Sequence, residues 1–220
     1  MGAFQNAGLL LPDDVLAMAA RYGYAKENLL ILSGSEERLK MEFPETYRNI
    51  LSCRHQRDGR SPMEYAQDLV ASWVVEDYFL QLLQDAGCQI TAAGADRERK
   101  ILPNAKVSAT SDFQIRPTGQ DREVRVEFMC DYQGYWRKYH KIDLRDDKFK
   151  KLQREQALFL GIDAQYSRAI LLDFGREMPQ ANYISSHFPY GGKPAYSIPC
   201  PEEQFFPLTP DMLAEALAKL

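Results

Sequence analysis

The segment SDFQIRPTGQDREVRVEFMCDYQGYWRKYHK, residues 111–141, decides how this chain is read. Two β-periodic runs, Thr110–Arg116 and Glu123–Tyr132, flank the polar turn Pro117-Thr118-Gly119-Gln120, which is the pattern of a hairpin. On the second run Glu123, Arg125, Glu127, Met129 and Asp131 share one face, and Val124, Val126, Phe128 and Cys130 share the other. A structural strand with one solvated face explains that alternation equally well. The first run adds a carboxylate, Asp112, between Ser111 and Phe113. A turn centred near residue 118 puts Asp112 roughly opposite Arg125 and within diagonal reach of Glu127. Two converging carboxylates repel unless a cation lies between them, and hard cations take oxygen ligands.

Upstream of the hairpin the clearest element is a long helix. Ser61-Pro62-Met63-Glu64 is a capping box with proline at the first helical position, and Gly87 is its stop. Ala66, Leu69, Val70, Trp73, Val74, Leu80 and Leu83 keep helical spacing between them. Glu76 and Asp77 interrupt its second half, as residues of a solvated face would. The first sixty residues read as helices broken by turns, and the first half of KENLLILSGSEERLKMEF stays open. Cys88–Thr91 reads as a short strand.

Downstream, a helix is expected from about Leu144 to Leu160, with Leu144, Phe149, Leu152, Leu158 and Phe159 for burial and Gly161 as its stop. Arg168–Asp173 has the composition of a buried strand. Met178–Pro207 reads as loops with room for an edge strand, and Thr209-Pro210-Asp211 opens a last helix over Met212–Leu220. The order predicts an α/β fold: a mixed β-sheet flanked by helices on both faces, with an N-terminal helical region over 1–60 and the core over 61–220.

Composition narrows the function. At 220 residues with 45% apolar content, the chain is long enough for one large domain with a core. It has no apolar run near the ~20 residues that span a bilayer, and its start lacks signal-peptide features, so a cytoplasmic protein with no membrane partner is expected. Cys53, Cys88, Cys130 and Cys200 lack CxxC spacing and read as free thiols. The net charge of −4 argues against a uniformly basic coat. Yet residues 137–154 hold eight cations against three acids, a local excess of +5, as expected of a protein that meets a polyanion on one side. No phosphate-loop, dinucleotide or nucleophile-elbow motif occurs.

A glutamate-bearing helix, a strand, Asp112 and Glu127 on a hairpin, a basic helix and a further buried strand together resemble the PD-(D/E)XK nuclease superfamily, in particular type II restriction endonucleases. The similarity covers about residues 61–175, and the order of elements carries more of it than the short motif does. It implies a restriction-endonuclease-like fold and Mg²⁺-dependent cleavage of double-stranded DNA, with a homodimer for a palindromic site. The implied metal ligands are Asp112, Glu127 and the Phe128 carbonyl, with Glu76 as a helix ligand. The family usually has lysine two residues past the glutamate, where this chain has Met129. Lys148, then Lys141, then Lys138 are the candidates for that role, with Asp112 and Glu127 the other catalytic residues. Glu98-Arg99-Lys100 and Asp146-Asp147-Lys148 match three-residue nuclease patterns but lie in an expected loop and at an expected helix start.

In GYWRKYHK, Arg137, Lys138 and Lys141 are placed to neutralise phosphates, and Tyr135 or Trp136 to pack on sugars or bases. An amphipathic edge strand accounts for that stretch equally well. Lys193, in the loop ISSHFPYGGKPAYS, completes the DNA-contact set. Two other readings stand beside the enzyme: a DNA-binding protein of the same fold without catalysis, and a structural α/β protein whose hairpin charges face water.

Overall fold

The computed structural model describes residues 15–52, 60–92, 98–102, 113–117, 119 and 123–219. It is mixed α/β, with eight helices and two sheets among the described residues, and it divides into two units. Met1–Gln81 with Gly94–Thr110 forms the first, and Leu82–Ala93 with Ser111–Leu220 the second.

The first unit is helical. Four short helices, α1 (Val15–Arg21), α2 (Lys26–Leu32), α3 (Glu36–Glu42) and α4 (Pro44–Ser52), precede the long α5 (Pro62–Asp85). The open stretch at 26–43 is thus two helices, α2 and α3. The capping box closes as its sequence specifies: Ser61 N–H donates to Glu64 Oε2 at 2.7 Å, and Glu64 N–H donates to Ser61 Oγ at 3.2 Å. Leu30, Ile31, Leu39, Ile50, Val70 and Trp73 form the core of this unit.

The second unit is built on a six-stranded sheet. Its strands are β1 (Gln89–Ala92), β2 (Phe113–Arg116), β3 (Val124–Asp131), β5 (Leu158–Asp163), β6 (Arg168–Asp173) and β9 (Phe206–Pro207), in that spatial order. All neighbours are antiparallel except β3 and β5, which run parallel. Parallel neighbours need a crossover, supplied here by α6 (Tyr135–Tyr139), β4 (Lys141–Arg145) and α7 (Asp146–Glu155). A second sheet, in order β4-β8-β7, joins β4 to the hairpin of β7 (Asn182–His187) and β8 (Lys193–Pro199). Helix α8 (Pro210–Ala218) closes the chain, its Thr209 Oγ1 accepting from Met212 N–H at 3.3 Å.

Between the second sheet, α7 and the large sheet lies a core of Trp136, Ile142, Leu144, Phe149, Leu152, Phe159, Ile170 and Ile198. Gly161 faces into it: a Cβ there would sit 2.8 Å from Phe159, 2.9 Å from Ile170 and 3.0 Å from Trp136. Glycine at this point of β5 is what lets the indole lie against the sheet.

Three expectations change. The single helix over 144–160 is instead a strand, a shorter helix and a strand, because Gln156 turns left-handed (φ 47°) and stops α7. Leu144, Leu158 and Phe159 are therefore strand residues; a continuous apolar run such as LFLGI does not declare its period. The stretch 135–139 is helical, because the Asp131 carboxylate accepts the N–H groups of Gln133 (3.0 Å) and Trp136 (2.7 Å) and holds its first turn. Residues 178–207 contain a real hairpin, β7–β8. No helix of the described residues is long and apolar enough to cross a membrane.

Candidate active site

Strand β3 brings its charged face under α7. Parallel pairing sets Glu127 opposite Phe159 and Met129 opposite Gly161, so the row holding Glu127 is the row facing the core. On α7, Phe149 and Leu152 point into that core. Lys148 and Lys151, one position before each, share the adjacent edge of the helix. Both reach Glu127: Lys148 Nζ lies 2.9 Å from Oε1, and Lys151 Nζ donates to Oε2 at 2.9 Å. One helical turn further, Glu155 approaches Arg125, 4.0 Å away on the same face of β3. Helix α7 thus runs back along β3, as a crossover helix between parallel strands does.

Glu127 is 4% exposed and Lys151 is 9% exposed, while the Lys148 side chain keeps 32% of its surface in solvent. Among the described residues this sets one buried carboxylate between two ammonium groups, in a setting of weak screening. Such a place suits an additional anion, whether a second carboxylate or a phosphate oxygen. Met129 is half-buried and packs against the Trp136 and Phe159 core. The Met129 side chain is taken up by that packing, and α7 delivers the cations to Glu127 instead.

Asp112 lies outside the described residues. The described register pairs Phe113 with Val126 and Gln114 with Arg125, so Arg125 faces Gln114 and not Asp112. Phe113 and Val126 are the chain neighbours of Asp112 and Glu127. The turn residues Thr118 and Gln120 also lie outside the description. Among the described residues no group of three His, Cys, Asp or Glu side chains is arranged to hold a metal. Phe128 is half-buried opposite Leu160. Glu76 stands on α5 in the first unit, where Arg99 Nη2 donates to it at 3.1 Å and to Asp77 at 2.5 Å. Burial opposes the Arg99 charge, but Glu76 and Asp77 outweigh it and raise its pKa.

Lys141 pairs elsewhere, with Asp143 of its own strand at 2.9 Å. Asp143 is the centre of a second buried network: its Oδ2 also accepts from Tyr135 OH at 2.9 Å and meets His187 Nε2 at 2.8 Å. Its backbone carbonyl accepts from Tyr190 OH at 2.6 Å. Burial alone would raise the Asp143 pKa, but Lys141, Ser197, His187 and Tyr135 together hold it below the usual carboxylate value. Ser197 faces Asp143 across the β4–β8 ladder, and Asp143 Oδ1 itself has no partner among the described residues. Burial, then the Asp143 charge, pushes Tyr190 up to about 12.

The basic island is mostly spent on ion pairs. Arg137 reaches Glu202, Arg145 pairs with Asp147, Lys150 with Asp146 and Arg154 with Glu155, in addition to Lys141, Lys148 and Lys151. Of the cations over 137–154, Lys138 has no carboxylate partner among the described residues; its ammonium lies over the Tyr139 ring. Trp136 is 3% exposed and belongs to the core, so it is not a surface for bases. Tyr135 is occupied by Asp143, and Lys193 is exposed at the β7–β8 turn. Glu98 and Lys100 are exposed and lie 3.8 Å from each other. Cys88 and Cys200 are buried free thiols, and burial raises the pKa of Cys88 and takes that of Cys200 up to about 12.

Lys151 is the site residue that sequence reasoning missed. Its signal was present: two lysines three apart, each followed by a core residue, on a helix that returns along a strand carrying a glutamate. No family model, characterised protein or solved structure matches the chain.

Proposed function

We propose that this protein is a Mg²⁺-dependent endonuclease of double-stranded DNA with a restriction-endonuclease-like fold, and that Glu127, Asp112, Lys148 and Lys151 form its active centre. The observation that carries the reading is the buried Glu127 carboxylate held between Lys148 and Lys151 at 2.9 Å each, on a strand whose parallel neighbour is reached through the helix bearing both lysines. The resemblance rested on a helix, three strands, a basic helix and the strand 168–173; of these the long helix, β1–β3, a shorter basic helix and β6 are present, with α6 and β4 added before α7 and the parallel strand β5 before β6.

A hard cation would take carboxylate oxygens here: Glu127 can offer Oε1 once Lys148 turns away from it, and Asp112 is the second ligand of the proposal. Bound there, Mg²⁺ would supply an activated water and charge stabilisation at the leaving oxygen. The chain's own groups divide the remaining work. Lys151, almost fully buried, fixes the orientation of the Glu127 carboxylate. Lys148, a third exposed, is able to leave Glu127 for an incoming phosphate and offset its charge, which is the task of the lysine that Met129 replaces. For a palindromic site the active form is a homodimer.

Cleavage of supercoiled plasmid DNA with Mg²⁺ tests this. The wild type nicks or linearises the plasmid, and Asp112→Ala and Glu127→Gln, checked for a native melting curve, do not. Wild-type cutting by both variants overturns the reading. The packing of Met129 into the core favours a second one, a DNA-binding protein of this fold without catalysis. Steeply salt-dependent duplex binding with no cutting under any divalent metal would establish it.

A further inference from the structure

The hairpin β7–β8 carries a feature that the proposed active centre does not use. From 178 to 201 the chain reads MPQANYISSHFPYGGKPAYSIPCP, without one Asp or Glu in a protein of net charge −4. At its tip Phe188 is 92% exposed, more than any other large apolar side chain described. A single exposed phenylalanine on a loose loop would need no account. This turn, however, is fixed from both sides. His187 Nε2 is bonded to Asp143 Oδ2 at 2.8 Å, and Tyr190 OH donates to the Asp143 carbonyl at 2.6 Å. Gly191 N–H donates to the Phe188 carbonyl at 2.9 Å and Gly192 N–H to that of His187 at 3.0 Å. Gly191 and Gly192 hold φ of +63° and +80°, a conformation that glycine adopts without strain. A buried, multiply bonded carboxylate thus sits beneath the most exposed apolar ring among the described residues, with Tyr183 of the same hairpin next along it at 57% exposed.

Resting on the reading of duplex DNA as substrate, we propose that Phe188 is a wedge that inserts between stacked base pairs, with Lys193 beside it on a phosphate. Lys193 pairs with His187 across the hairpin, is exposed, and meets no carboxylate among the described residues. The neighbouring Ser185 and Ser186 are exposed and polar. One projecting ring among hydroxyls and a free cation is the form of a base-step wedge, which unstacks and kinks the duplex. A protein-docking face would instead present a contiguous apolar patch of several hundred Å².

The test uses the full chain and a plasmid that the wild type cuts, with binding measured in EDTA. Phe188→Ala is expected to weaken DNA binding roughly tenfold or more, the loss of one stacked base contact, with an unchanged melting curve. Phe188→Trp gives the direct readout, because Trp73 and Trp136, the two native tryptophans, are only 1% and 3% exposed. Its iodide-accessible emission should be quenched and shielded when DNA is added. If the wild type binds and cuts while Phe188→Ala matches it and the new indole stays open to iodide, the wedge is overturned and the nuclease stands. If Phe188→Ala alters only the sedimentation mass, the ring is a protein contact and the wedge is likewise overturned. If the wild type neither binds nor cuts DNA, both readings fall together.

Discussion

Glu127 and Asp143 are both buried strand carboxylates with a lysine at 2.9 Å, yet the structure completes them in opposite ways. Around Asp143 the further donors are neutral or titratable, Tyr135 and His187, and they tie α6, β4 and β7 together. Around Glu127 the further donor is a second lysine, so among the described residues two cations face one carboxylate and join β3 to α7. A buried carboxylate matched by one lysine and bonded further by a tyrosine and a histidine fixes local structure, whereas one that faces two lysines is placed for another anion. What completes the carboxylate's surroundings, more than its burial, separates a structural hub from a candidate catalytic centre.

The largest effect that would test this contrast comes from removing both cations of Glu127. Lys148→Met combined with Lys151→Met strands a buried charge and should cost about 3–5 kcal/mol in urea unfolding. Lys141→Met should cost clearly less, because Tyr135 and His187 still donate to Asp143. Equal losses at the two places would break the comparison.

Next in size is the acid response of Asp143. Its folded pKa lies below the ordinary value of 3.8, so its contribution to stability is complete above that pH and is lost as the pH falls through the folded value. Asp143→Asn should therefore flatten the stability–pH curve below about pH 4, measured by urea unfolding at each pH. An unchanged acid limb would remove Asp143 from its place as hub.

Tyr190→Phe deletes one hydrogen bond to the Asp143 carbonyl and should cost about 0.5–1.5 kcal/mol, read in the same unfolding experiment. It should also loosen the turn that presents Phe188, seen as faster amide exchange at Gly191 and Gly192. The smallest effect belongs to Lys148→Met alone. With a third of its side chain in solvent and Lys151 still on Glu127, stability should fall by less than about 1 kcal/mol. Plasmid cutting by that variant should nevertheless be lost while DNA binding persists, which separates a catalytic lysine from a structural one.

Much of the architecture was legible in local chemistry. The capping box of α5, the two hairpin strands, the strand over 168–173 and the Thr209 start of α8 follow from signals confined to a few neighbouring residues. The breaks near 145 and 156 were not legible, because apolar runs such as LFLGI suit helix and buried strand alike until a sheet accepts them. The same limit applied to GYWRKYHK, whose helix is started by Asp131, a residue that periodicity assigns to the strand before it.

By itself the sequence determined the candidate glutamate, the hairpin beneath it and the absence of a lysine at Met129, since these depend on residue identity and a period of two. Which lysines stand at Glu127, and that Lys141 and Trp136 are engaged elsewhere, was decided only by tertiary structure. The physical reason is that α7 returns along β3 within the 26-residue crossover 132–157, and the face of the helix that meets Glu127 is selected by the burial of Phe149 and Leu152. Charge in the segment 137–154 was countable from the chain; its use in ion pairs was a property of the fold.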